Sequence, residues 1–474
     1  MRNTGDDYFD SQEFRELLDE YEQAVSSGQP IFMDADELTD IADYYHFTGR
    51  TEEAGEAIER ALELSPGAVA PLVYQAREAL TREDVETAEA LIEQIIDKND
   101  PDYFYMQAEL MIAKDDVEGA DRFLRDYFMT VPPDEYDDFV LDVANIYLDY
   151  GLNEKAYEWM MRSRGNDSAD FKELMGRTMF GLGKFKDSQR IFNELLDHNP
   201  YSKRYWNALA SAQFMTEDYS ESMTSSEYAI AIDPDDQEGI LTKANSLYRL
   251  NNYEEALKYY QRYGELAGAD DDFSELHQGI CLVNLNRFDE AIQHLEQAAH
   301  REDELSPYKV QTLQELAFAY SAVHRVEDAL QCLDQTKDME CDHIDMEVLR
   351  GHILLENDRF TEAEWVFRNA IIQSGSAPKI LLRIIVSLYD NKFVEASYTM
   401  FKKYFEIVGD DADEGYAYMA LCCWELKKQQ EFMHYLRLAV QHNPQEARMV
   451  LNSLFPESME PTEYEDYMKE KLSL

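Results

Sequence analysis

The chain has 474 residues, too many for one compact core, and carries 97 acidic against 43 basic residues, a formal net charge of −54. A chain so acidic repels nucleic acid, and its 45% hydrophobic and 12% aromatic content supplies enough apolar surface to exclude wholesale disorder. The N-terminus bears acids where a secretory signal needs a cationic and then an apolar stretch. The most apolar run, Ile380 to Tyr389, contains Arg383 and is about half of the roughly 20 apolar residues that span a bilayer.

The first predicted element is an amphipathic helix over residues 11–25, ended by Gly28 and Pro30, so residues 1–34 read as a capping segment. Beyond it, a small residue followed four positions later by a bulky one recurs down the chain. The pairs are Ala54/Ile58, Ala88/Ile92, Ala120/Leu124, Ala156/Met160, Ser188/Phe192, Ser222/Ser226, Ala256/Tyr260, Ala291/Leu295, Ala329/Leu333, Ala363/Phe367, Ala396/Met400 and a degenerate Phe432/Leu436. Eleven steps from 54 to 432 cover 378 residues, a mean period of 34.4, which predicts a helical solenoid.

Each period divides into two amphipathic helices and a short turn. In the first, Leu38, Ile41, Ala42 and Tyr45 form one stripe, Gly49 closes the helix, and Ala54, Ile58 and Ala61 form the second stripe before Pro66. Gly151, Gly183, Asn251, Asn286 and Asn391 occupy the corresponding turns, where a left-handed residue is expected. The small residue lets two helices approach closely, and the bulky one fills the space between them.

Trp206, Leu209, Ala210, Ala229 and Pro234 in one period, with Gly176, Gly183, Phe192 and Pro200 in the one before, resemble the tetratricopeptide repeat. The resemblance implies an all-α, right-handed superhelical solenoid of about twelve helix-turn-helix units over residues 35–446. Several periods depart from the pattern: residues 137–168 lack the final proline, residues 272–309 carry extra residues, and Phe432 stands where Ala is expected. Residues 447–474 read as two C-terminal capping helices, Ala447 to Leu454 and Thr462 to Leu472, around Phe455 and Pro456.

No motif supplies chemistry. The ten histidines lack a metal-binding spacing, and His294 and His300 fall on different faces of one helix. Gly181-Leu-Gly183-Lys184 imitates part of a phosphate loop but follows a helix, so it reads as a repeat turn. Cys281, Cys332, Cys341, Cys422 and Cys423 form no Cys-x-x-Cys, which fits reduced thiols in a cytoplasm, and adjacent Cys422 and Cys423 read as small core residues. The expectation is a non-enzyme with no cofactor and no metal.

The resemblance implies a concave wall built by the first helix of each unit, with two residues per unit pointing into it. The positions it nominates for a partner include Arg177, Asn207, Asn245, Leu276, Ile280, Phe318, His352, Leu381, Ile385 and Leu421. They are polar in the first half and apolar in the second. The apolar half suits either an open groove for an apolar peptide or a tightened superhelix that fills itself. In the open case, Ile280→Asp with Ile385→Asp is expected to abolish capture of a partner and leave helicity intact.

Charge is also uneven: residues 1–150 hold 39 acids and 10 bases, a net of −29, whereas residues 151–250 hold 16 and 12, a net of −4. Some acids cap helices, and the surplus either keeps the array soluble or attracts a basic partner. The sequence therefore predicts a cytoplasmic protein- or peptide-binding scaffold without membrane insertion. A chaperone or decoy for a basic protein, acting through residues 1–150, is the alternative, and self-assembly through the ends is a third reading.

Overall fold

A computed structural model describes residues 6–9, 11–163, 165–268, 272–300, 306–409, 412–456 and 459–472. Among these residues the chain is all-α, with short 3-10 turns and no strand. The extra residues expected near 301–305 lie outside the described ones. Contacts divide the chain into two compact units, Met1–Ile232 and Asp233–Leu474.

Unit 1 opens with a short helix α1 (Asp6–Phe9) and α2 (Gln12–Ser27). The Ser11 side chain accepts the Phe14 N–H at the start of α2, and Gly28, at φ 66°, ends it. Antiparallel pairs then follow in chain order: α3 (Ala35–Phe47) and α4 (Thr51–Leu64), α5 (Val69–Thr81) and α6 (Val85–Glu93), α7 (Pro101–Ala113) and α8 (Val117–Phe128), α9 (Tyr136–Asp149) and α10 (Asn153–Met160), α11 (Ala169–Gly181) and α12 (Phe185–His198), α13 (Lys203–Met215) and α14 (Tyr219–Ile232). Phe14 and Tyr21 of α2 are buried in one core with Leu38, Ile41 and Tyr45 of α3.

Unit 2 continues with α15 (Gln237–Arg249) and α16 (Tyr253–Ala267), α17 (Asp272–Asn284) and α18 (Phe288–His300), α19 (Lys309–Ala322) and α20 (Val326–Gln335), α21 (His343–Glu356) and α22 (Phe360–Gln373), α23 (Pro378–Asp390) and α24 (Val394–Val408), α25 (Tyr416–Glu425) and α26 (Gln429–His442). Two last helices, α27 (Pro444–Leu451) and α28 (Tyr464–Leu472), bury Leu451, Phe455, Tyr464 and Met468 in the core that α23 to α26 build. Phe455 and Tyr464 stack at 3.7 Å, and Arg437 of α26 reaches Glu465 of α28 through two hydrogen bonds of 2.6 and 3.1 Å.

The small residue of each period is where two helices touch. Ala54, Ala88, Ala120, Ala156, Ser188, Ser222, Ala256, Ala291, Ala329 and Ala363 all have no exposed surface. A Cβ added to Gly351 would stand 2.3 Å from the Phe367 ring, and one added to Gly176 would stand 2.8 Å from Phe192, so glycine makes room for both rings.

Two readings of the repeat change. In α24 the buried pair is Ser397/Phe401, while Ala396 is exposed and Met400 half-buried. The period slips by one residue there because Ser397 replaces the alanine, its hydroxyl donating to the backbone carbonyls of Phe393 and Ile385 at 3.0 and 3.3 Å. Asn391 has φ −85°, and its neighbour Lys392, at φ 67°, takes the left-handed turn position. Charged residues fill several equivalent turns: Glu83, Asp115, Glu217, Asp358 and Lys427 all have φ between 58° and 66°. Gly183, at φ 71°, makes the turn that imitates a phosphate loop.

Candidate partner-binding face

The first helices of successive pairs pack on one another in unit 1, α3 on α5, α5 on α7, α7 on α9 and α9 on α11. Polar side chains tie them together. Arg77 of α5 donates to Glu109 of α7 through Nη2 at 2.8 Å and Nε at 3.0 Å. The Tyr105 hydroxyl of α7 donates to Asp142 of α9 at 3.0 Å, and Arg177 of α11 donates to Asn145 of α9 at 3.1 Å. Arg204 of α13 reaches Glu173 of α11 at 2.6 Å.

At the α3–α5 end of this face lies a cleft reaching the start of α7, whose wall includes Asp36, Asp40, Asp43, Tyr74, Glu78 and Asp102 together with His46 and Arg77. The Tyr8 hydroxyl donates to Asp40 at 3.1 Å, and Tyr74 meets His46 at 3.3 Å. Burial, reinforced by the Asp40 charge, pushes the Asp43 carboxyl up to about 6. Asp142 is likewise pushed up to about 6, chiefly by burial, against the opposing hydrogen bond from Tyr105.

A carboxyl harder to ionise in the folded chain than in the unfolded one holds its proton more tightly when folded. Its contribution to stability is complete below the ordinary carboxylate range and is lost as pH climbs through about 6. Unit 1 should therefore become more stable as pH falls from 7 to 5. Calorimetric scans across that window should show its transition rising, and Asp43→Asn with Asp142→Asn should flatten the dependence.

The positions nominated from sequence have diverse fates. Leu276, Ile280, Leu381 and Ile385 are buried, at 0%, 6%, 9% and 1% exposure, so they present no apolar groove. Leu276 and Ile280 of α17 share one core with Leu313, Leu316 and Ala317 of α19, and Leu381 and Ile385 of α23 share another with Tyr416 and Ala417 of α25. The paired second helix and the next first helix both contribute to these cores, so this part of the array fills itself.

Asn207 is buried as well. Asn245 accepts the Tyr260 hydroxyl at 2.7 Å, the His352 Nδ1 lies 2.9 Å from the Ser387 hydroxyl, and half-buried Phe318 meets Phe288 edge-on at 6.5 Å. Leu421 packs half-buried against the C-terminal core. Arg177 is the one of the ten that is exposed, on the polar face of unit 1. The nominated positions began at α11 and so passed over Asp36, Asp40 and Asp43 on α3. The acidity of the first 150 residues is the sequence signal that points to them.

Among the described residues no cluster of three or more His, Cys, Asp or Glu side chains could hold a metal ion, and no helix is long and apolar enough to cross a membrane. All five cysteines are free thiols. Burial pushes Cys281, Cys332, Cys422 and Cys423 up to about 12, which keeps them protonated and unreactive, whereas Cys341 is half-buried. A thiol-reactive disulfide reagent should therefore titrate one thiol in the folded chain and all five in denaturant; rapid native labelling of Cys422 or Cys423 would contradict the burial.

Paired antiparallel helices stacked at a regular period define an all-α helical repeat protein. The repeat is the tetratricopeptide repeat: its sequence profile matches residues 38–67, and the profile of the family described as anaphase-promoting complex, cyclosome, subunit 3 matches residues 197–298. The chain carries tetratricopeptide-type repeats. No curated protein matches it. Among solved structures it is similar to MamA from Desulfovibrio magneticus, at 16% identity over 37% of this chain and 96% of that one, with a TM-score of 0.34. It is also similar to YrrB, titled a TPR protein with an unusual peptide-binding site, at 18% identity over 40% and 95% of the two chains and a TM-score of 0.34. A tetratricopeptide repeat protein from Parabacteroides merdae matches at 15% identity over 54% and 99%, with a TM-score of 0.41.

Proposed function

We propose that this chain is a non-catalytic cytoplasmic scaffold that binds a protein or peptide partner on the first-helix face of unit 1, and that the bound segment is basic. The observation that carries this reading is the cleft whose wall holds Asp36, Asp40, Asp43, Glu78 and Asp102 beside the Tyr74 ring. Carboxylates partly withdrawn from water attract an ammonium or guanidinium group more strongly than the same groups on an open surface. The burial of Leu276, Ile280, Leu381 and Ile385 argues against the apolar groove of the second half as the primary site. Tetratricopeptide repeats are a protein-binding architecture, which supports the scaffold reading without naming a partner.

The test is titration of an extended Lys/Arg-rich peptide into the full-length chain. Asp40→Lys with Asp43→Lys should weaken binding by about tenfold or more at low salt, and wild-type binding should weaken as pH falls through about 6 with protonation of Asp43. An unchanged affinity in the double variant would remove the cleft from consideration.

A further inference from the structure

Among the described residues that line the acidic cleft, Arg77 alone carries a permanent positive charge. A cleft that attracts cations gains nothing from a guanidinium in its own wall, so the placement of Arg77 calls for a physical reason. Arg77 stands on α5 between two carboxylates of α7. Asp102 belongs to the cleft wall, whereas Glu109 lies seven residues further along the same helix, about 10.5 Å away, and is not among the lining residues.

The guanidinium turns to Glu109. Its Nη2 donates to Glu109 Oε1 at 2.8 Å and its Nε to the same oxygen at 3.0 Å, with Glu109 Oε2 at 3.4 Å. The two side chains are 27% and 10% exposed, so salt screens the pair less than it would on an open surface. Burial raises the Asp142 and Asp149 carboxyls of α9, and the Arg77 charge acts against it in both. The Asp102 charge also reaches Arg77, so a guanidinium released from Glu109 has a second carboxylate to turn to, inside the cleft.

We propose that Arg77 and Glu109 set the affinity of the cleft for cations: Glu109 neutralises Arg77 and holds it back from Asp102, which leaves the cleft carboxylates to the partner. This rests on the cleft being the binding site. It places the partner's lysine or arginine side chains on the α3 side, along Asp36, Asp40 and Asp43, because the Arg77 end repels a second cation.

The test titrates the Lys/Arg-rich peptide into full-length chains that differ at these two positions. Arg77→Gln removes the resident cation and should tighten binding about fivefold at low salt, whereas Glu109→Gln leaves that cation without its counter-charge and should weaken binding about fivefold. A pair that merely ties α5 to α7 would weaken binding in both variants, because both break it. Opposite signs are the result that a structural role does not give. Exchanging the two, Arg77→Glu with Glu109→Arg, keeps an ion pair and the net charge of −54 but turns a carboxylate to the cleft, so this chain should bind more tightly than the wild type. All three differences should shrink at high salt.

Shifts of the same sign in the two single variants, or an exchanged chain that binds no more tightly than the wild type, would overturn the proposal. If Asp40→Lys with Asp43→Lys weakens binding while the Arg77 and Glu109 variants bind like the wild type, this proposal falls and the cleft stands. If the wild type does not bind the peptide, or Asp40→Lys with Asp43→Lys leaves binding unchanged, the cleft falls and the proposal with it. Circular dichroism establishes folding first. Should one single variant fail to fold, the other and the exchanged chain carry the test, and a shift opposite to the expected one in either overturns it.

Discussion

Ile385→Asp should unfold the helix pairs around α23 instead of disabling a binding surface. Ile385 is 1% exposed and belongs to the core of α23 to α26. The substitution removes an aliphatic side chain worth about 2–5 kcal/mol when truncated and leaves in its place a carboxylate with no designed partner. Unit 2 should lose several kcal/mol, with lower helicity and earlier denaturation in urea followed by circular dichroism. Retained helicity would show that α25 does not cover this position, and the open groove expected from sequence would return. Arg177→Asp, at an exposed position, is the contrasting control and should leave helicity unchanged.

Asp121→Ala should be the most damaging polar substitution in unit 1. The carboxylate is 2% exposed and accepts the Trp159 indole N–H at 2.9 Å and Arg125 at 2.6 Å, with the Lys155 ammonium at 3.6 Å. Trp159 is itself fully buried, so alanine strands an indole N–H inside the core and leaves two cations without their buried partner. Breaking such an arrangement from one side costs about 3–5 kcal/mol, whereas the exposed Arg368–Glu364 pair should be removable with little measurable effect. Urea denaturation monitored by tryptophan fluorescence would show the difference as a displaced unit 1 transition. A midpoint equal to the wild type would mean that water or another acceptor replaces the carboxylate. Asp121→Asn should recover part of the loss, because the amide oxygen can still accept from Trp159.

The repeat was legible because its signal is steric. A small residue is needed wherever two helices touch, and alanine or serine at those points declares the period without any knowledge of the turns. Where the signal failed, the reason is visible. In α24 both Ala396 and Ser397 are small, and alanine alone is the more familiar match, yet Ser397 is the one with a backbone acceptor to bury against. In the turn after α23, asparagine looked the natural left-handed residue, but Lys392 occupies it, since an exposed turn can carry the strain of a side chain, about 1–2 kcal/mol.

The candidate site was less legible for a related reason. Spacing says which residues share the first-helix face, but not how closely the next first helix approaches. Leu276 and Ile385 are covered by that approach, while Arg77 and Glu109 meet each other across it. The cleft beside Tyr74 arises from the packing of α3, α5 and α7 together, which no single repeat encodes.

The order of partners along the chain bears on how the protein is made. Each helix in unit 1 finds its partners within the preceding or following pair, so packing can proceed from the N-terminus as synthesis advances, without waiting for distant segments. The far end of unit 2 is different: α25 and α26 complete their core with Leu451, Phe455, Tyr464 and Met468, which follow them in the chain. A nascent chain halted before α27 would display that unfinished core to solvent.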